Sequence, residues 1–102
     1  MLELRPNCEL CDKDLPPEAG DARICSYECT FCAACVEDVL HDVCPNCGGG
    51  FQARPIRPRT PWRDGAGLEH APAGERRRHT RYTSEEIAAF VASVRDVPAT
   101  DR

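Results

Sequence analysis

The sequence predicts a small metal-stabilised α+β domain, followed by an irregular linker and a C-terminal amphipathic helix. Three observations lead there. Eight cysteines fall in four close pairs between Cys8 and Cys47. Large apolar residues recur up to Phe51, but from Gln52 to Arg81 only Ile56, Trp62 and Leu68 interrupt a polar, Pro- and Arg-rich stretch. An apolar stripe then returns with helical spacing, at Ile87, Phe90, Val91 and Val94.

At 102 residues the chain has room for one domain, and chains of this size have small cores. The ordered half is too short to be secure without a staple or a metal. Three segments are expected: a double-zinc cysteine module at 1–51, a disordered linker at 52–81, and a helix at 82–97.

The first element is the Cys8-Glu9-Leu10-Cys11 knuckle. Arg23 to Phe31 mixes β-branched and aromatic residues, as a short hairpin does. Val36, Val39 and Leu40 recur at i, i+3 and i+4, which predicts a short helix after Cys35. Pro45 and Gly48 to Gly50 flank the closing knuckle, where a tight turn needs positive φ and amides must approach sulfur. In the linker, prolines at 55, 58, 61 and 72 favour extended backbone, and little is available to bury. The helix opens on a capping box, Thr83 and Glu86, and Pro98 prevents its continuation.

The cysteine pattern is Cys8-x2-Cys11-x13-Cys25-x3-Cys29-x2-Cys32-x2-Cys35-x8-Cys44-x2-Cys47. Tetrahedral zinc takes four thiolates, and a two-residue gap lets both sulfurs of a pair face one ion. Eight cysteines therefore supply two structural Zn²⁺ sites with none left over. Spacing alone leaves two divisions open. In the sequential one, Cys8, Cys11, Cys25 and Cys29 hold one ion and Cys32, Cys35, Cys44 and Cys47 the other. In the interleaved one, Cys8/Cys11 join Cys32/Cys35, and Cys25/Cys29 join Cys44/Cys47.

Cys8-Glu-Leu-Cys11, Cys29-Thr-Phe-Cys32-Ala-Ala-Cys35 and Cys44-Pro-Asn-Cys47 together resemble a RING finger, with Cys29 where that family usually has His. The resemblance covers residues 8–47. It implies the interleaved cross-brace: site 1 from Cys8, Cys11, Cys32 and Cys35, site 2 from Cys25, Cys29, Cys44 and Cys47, with a hairpin and one helix between them. RING fingers recruit ubiquitin-conjugating enzymes, but this chain has no Trp between Cys35 and Cys44, and Gly48 follows the last cysteine. Ligase activity is therefore not expected. The longer run MLELRPNCELCDKDLPP, with ARICSYECTFCAACVEDVL and VCPNCGGGFQARPIRP, resembles a group of small bacterial cysteine-rich proteins, the domain of unknown function numbered twelve-seventy-two. That resemblance spans about residues 1–58 and implies little beyond zinc binding.

Charge and motif content narrow the function classes. Residues 1–50 carry three basic against ten acidic side chains, a net of −7, and residues 51–102 carry ten against seven, a net of +3. Eight thiolates around two Zn²⁺ would make the module more acidic still. Such a surface is a poor neutraliser of phosphates. Nucleic-acid binding would fall to Arg54, Arg57, Arg59, Arg63, Arg76, Arg77, Arg78 and Arg81, with Trp62 stacking on a base. The CAAC and CPNC motifs invite a redox reading, but no βαβ unit frames them. Thiols held by zinc are also poor nucleophiles. His41, His70 and His79 are expected to be solvated, and no enzyme is expected.

No apolar run approaches the ~20 residues of a membrane span, and MLELRPNCELC has no apolar leader core. The expectation is a cytoplasmic, zinc-binding adaptor for another protein. A nucleic-acid-associated regulator and a redox- or zinc-responsive sensor stand as alternatives. Self-association through Ile87, Phe90, Val91 and Val94 is a further expectation.

Overall fold

The computed structural model describes residues 1–102. Strand β1 (Ala22–Ile24) pairs antiparallel with β2 (Thr30–Cys32), aligning Ala22 with Cys32, Arg23 with Phe31 and Ile24 with Thr30. The hairpin expected between Arg23 and Phe31 is thus present. Its turn is a cysteine knuckle: Cys25 N donates to Cys29 O and Glu28 N to Cys25 O, with Glu28 at a left-handed φ of 68°. Strand β3 (Gln52–Ala53) adds to the free edge of β1, giving the order β2-β1-β3.

Helix α1 (Ala33–Cys35) follows β2 without a break and widens into a π-helical turn at Val36–Leu40. The wider turn changes which side chains share a face. Val36 and Leu40 are buried, while Val39 is 45% exposed, so the expected three-residue stripe loses its middle member. The turn ends on two consecutive left-handed residues, His41 and Asp42. Asp42 secures the returning chain by accepting from Phe51 N at 2.9 Å.

The core is built around Phe31, fully buried, whose ring meets Phe51 edge-on at 5.5 Å between centroids. Leu15, Leu40 and Val43 pack with it, as do the buried cysteines. Helix α2 (Ser84–Val94) completes this same core through Ile87 and Val91. Its capping box is formed as expected: Glu86 N donates to Thr83 Oγ1 at 3.2 Å, and Thr83 N to Glu86 Oε1 at 3.0 Å. Burial of Ile87 and Val91 leaves Phe90 as the exposed part of the stripe considered for self-association.

Residues 52–81, expected to form a disordered linker, contribute β3 and otherwise run irregularly over the module. Polar anchors hold them. Arg54 is buried, and its guanidinium donates to the carbonyls of Arg5, Leu15 and Pro16. Arg57 donates to Leu2 O and Ala71 O, and Gly74 N to Leu4 O. Arg77 bridges Asp12 and Asp14. These contacts are polar, so the scarcity of apolar residues in the segment gives no sign of them. No helix is long and apolar enough to cross a membrane.

Candidate metal centre

The first knuckle closes through Cys8 N donating to Lys13 O and Asp12 N to Cys8 O, with Asp12 at φ 65°. Asn7, almost fully buried, braces it. Its Nδ2 donates to Cys8 O and to Asp12 Oδ1, and across the fold to Arg78 O. Cys32 ends β2 and Cys35 ends α1, so the strand-to-helix junction presents both sulfurs to this knuckle. The sulfurs of Cys8, Cys11, Cys32 and Cys35 all lie within 4.8 Å of one another.

Four thiolates about 2.3 Å from a tetrahedral ion stand about 3.8 Å apart along each edge. Cys11 Sγ and Cys32 Sγ are separated by 3.7 Å, which meets that requirement. The donor set is four sulfurs, with Cys8 and Cys32 buried, Cys35 half-buried and Cys11 at the surface.

A second cluster forms where the hairpin turn meets the closing knuckle. The sulfurs of Cys25, Cys44 and Cys47 lie within 4.8 Å of one another. Cys29 stands outside that set of mutual distances; it is buried and tied to the same turn by its backbone, where its carbonyl accepts from Cys25 N. Amides also point at these sulfurs, Tyr27 N at Cys25 Sγ (3.3 Å) and Gly49 N at Cys47 Sγ (3.4 Å). Such amide contacts orient thiolates and stabilise their charge. Of the three glycines after Cys47, only Gly48 takes positive φ, at 82°, where a Cβ would lie 3.4 Å from the Phe90 ring.

The thiols influence one another strongly. The neighbouring thiols of Cys29 and then Cys44 hold Cys25 down to about 3. The same contacts with Cys25 and Cys29, with burial added, push Cys44 well above an ordinary thiol. Burial, followed by Cys32, pushes Cys35 up. Each cluster can therefore trade thiol protons for a cation. The three histidines stand apart from both clusters; His79 Nδ1 lies 2.7 Å from its neighbour's carbonyl, Thr80 O.

A family model described as a protein of unknown function, DUF1272, matches residues 1–57 and takes in all eight cysteines. The chain belongs to the DUF1272 family. An uncharacterized protein of Rhizobium meliloti (strain 1021) is 66% identical over 58 residues, covering 57% of this chain and 69% of the relative. No solved structure matches the chain. The DUF1272 match ends at Arg57, so it contains the buried Arg54, while α2 lies beyond it.

Four residues that hold the module together carry no signal in the cysteine spacing. Asn7 and Arg54 are two of them. Glu9 and Asn46, inside the first and closing knuckles, are hydrogen-bonded to each other at 3.3 Å. The one hint in the sequence is that Glu9 is an acid lodged between Cys8 and Cys11; in the fold it is buried.

Proposed function

We propose that the chain is a zinc-binding structural module of RING-like cross-brace design that serves as a docking platform for another protein. One ion is held by Cys8, Cys11, Cys32 and Cys35, the other by Cys25, Cys29, Cys44 and Cys47. The observation that carries the reading is the gathering of Cys8/Cys11 with Cys32/Cys35, and of Cys25 with Cys44/Cys47, across long sequence separations. All-thiolate tetrahedral sets favour zinc, and closed sets of four leave no position for substrate. The metal's part is structural, since the sheet and its two flanking knuckles offer only a small core.

The docking role draws on the surface beside the closing knuckle. Tyr27 is 73% exposed, and with Phe90, Val94 and Val97 it borders a hollow of about 490 Å³ next to Cys47. Exposed aromatics beside a hollow suit an apolar side chain of a partner. The basic residues fit nucleic acid less well, because Arg54, Arg57, Arg77 and Arg78 are already engaged within the protein.

Native mass spectrometry of the full chain tests the metal assignment. The expected mass corresponds to two zinc ions with eight unoxidised thiols; a metal-free mass with disulfides overturns it, and iron corrects the metal. A photo-crosslinking residue at Tyr27 tests docking in cells. A discrete protein adduct that is lost on Phe90→Ser supports the platform, and the absence of any adduct counts against it.

A further inference from the structure

Between the two cysteine clusters lies a buried carboxylate. Glu9, 5% exposed, sits in the first knuckle between Cys8 and Cys11. Its Oε1 accepts from Asn46 Nδ2, and Asn46 lies in the closing knuckle between Cys44 and Cys47. Its Oε2 accepts from Thr30 N at 2.7 Å, on the short stretch between Cys29 and Cys32. Arg5 Nη1 reaches the same oxygen at 3.1 Å and balances its charge. The backbone repeats the connection: Glu9 N donates to Thr30 O, and Thr80 N to Glu9 O. Thr80 Oγ1 then fixes Asn46 by donating to its Oδ1 at 2.9 Å.

One side chain thus joins the first knuckle, to which it belongs, to the closing knuckle and to the strand between Cys29 and Cys32. A buried carboxylate deprived of a donor is costly. Forming the first knuckle places Glu9 where it needs Asn46, and forming the closing knuckle supplies Asn46 where it needs an acceptor. Neither residue offers a metal ligand in a set of four cysteines. Their effect on metal must pass through the cysteines that flank them.

We propose that Glu9 and Asn46 are positioning residues that couple the two clusters, so that filling one with zinc raises the affinity of the other. This rests on the reading of both clusters as zinc sites. By linkage the coupling is reciprocal, and contacts of this kind correspond to about 5- to 150-fold in affinity.

The test is a zinc titration of the reduced, metal-stripped full chain, followed by native mass spectrometry, on wild type, Asn46→Ala and Glu9→Gln. Asn46 is exposed, so its truncation spares the core; Glu9→Gln keeps the volume but weakens the acceptor. Wild type is expected to pass from metal-free to two-zinc with little one-zinc species. The Asn46→Ala variant is expected to accumulate the one-zinc species, toward the roughly one-half share that two equal, independent sites give at half-loading. If Glu9→Gln fails to fold, Asn46→Ala alone decides. A merely structural role would weaken both sites together without splitting them, and that result overturns the coupling. Stepwise filling of wild type also overturns it while leaving the metal sites standing. Wild type that binds no zinc removes both readings.

Discussion

Cys11 and Cys32 lie 21 positions apart in sequence, yet their sulfurs stand 3.7 Å from each other. The contact joins the N-terminal knuckle to the end of β2, and with Cys8 and Cys35 it makes a four-sulfur group. Complete removal of zinc by a chelator under reducing conditions is expected to abolish the folded circular dichroism and near-ultraviolet signals of the module. Signals unchanged in demonstrably metal-free protein would contradict a structural metal.

Metal retention should depend on pH in one direction. Cys35 and Cys44 are pushed above the ordinary thiol value by burial and neighbouring sulfurs, so without metal they hold their protons through neutral pH. Binding displaces those protons; affinity therefore rises with pH and is lost as pH falls. Zinc content followed from about pH 8 down to about pH 5, with proton release in weak buffer, checks this. Release on raising the pH would have the wrong sign.

Phe31 is fully buried and meets Phe51 edge-on at the centre of the core. Phe31→Ala should cost about 3–5 kcal/mol, as large-to-small changes at well-packed aromatic sites do. Denaturant unfolding at saturating zinc measures it. A loss below about 1 kcal/mol would mean that the core is looser than this packing.

Arg54 is buried beside three carbonyls and no carboxylate bonds to it, and burial lowers its pKa against the pull of Asp21. Truncation in Arg54→Ala leaves the carbonyls of Arg5, Leu15 and Pro16 without these donors, which should destabilise by at least about 2 kcal/mol. Arg54→Lys should recover only part of that, because one ammonium cannot match the guanidinium fork. Full recovery by lysine would show that charge alone suffices.

Thr83 caps α2 at an exposed position. Thr83→Ala should remove about 1 kcal/mol of stability and speed amide exchange in α2 more than in the sheet. Equal acceleration everywhere would mean that the helix and module open only together.

The cysteine spacing was enough to place the knuckles, and the residues around it to place the hairpin and the capping box of α2. These are local signals, carried by ligand pairs, β-branched runs and a Thr three residues before a Glu. The π-helical turn was not legible. Val36, Val39 and Leu40 read as an ordinary helical stripe, and only the widened turn that ends at His41 and Asp42 moves Val39 to solvent. The engagement of residues 52–81 was hidden for another reason. Arg54, Arg57 and Arg78 bind backbone carbonyls or residues far away in sequence, and neither composition nor periodicity reports where a guanidinium finds its acceptors.

By itself the sequence determined that four close cysteine pairs must be satisfied together, because a chain with so little apolar residue to bury needs another source of cohesion. Spacing alone left the partition of those pairs open between sequential and interleaved, and only the resemblance to a RING finger implied the interleaved one. The tertiary structure gathered Cys8/Cys11 with Cys32/Cys35, because β2 runs directly into α1 and carries its two cysteines back to the first knuckle. It also decided that α2 closes the core and that Glu9 meets Asn46. Both are contacts between distant segments, where packing and buried hydrogen bonding govern and local sequence preference has no say.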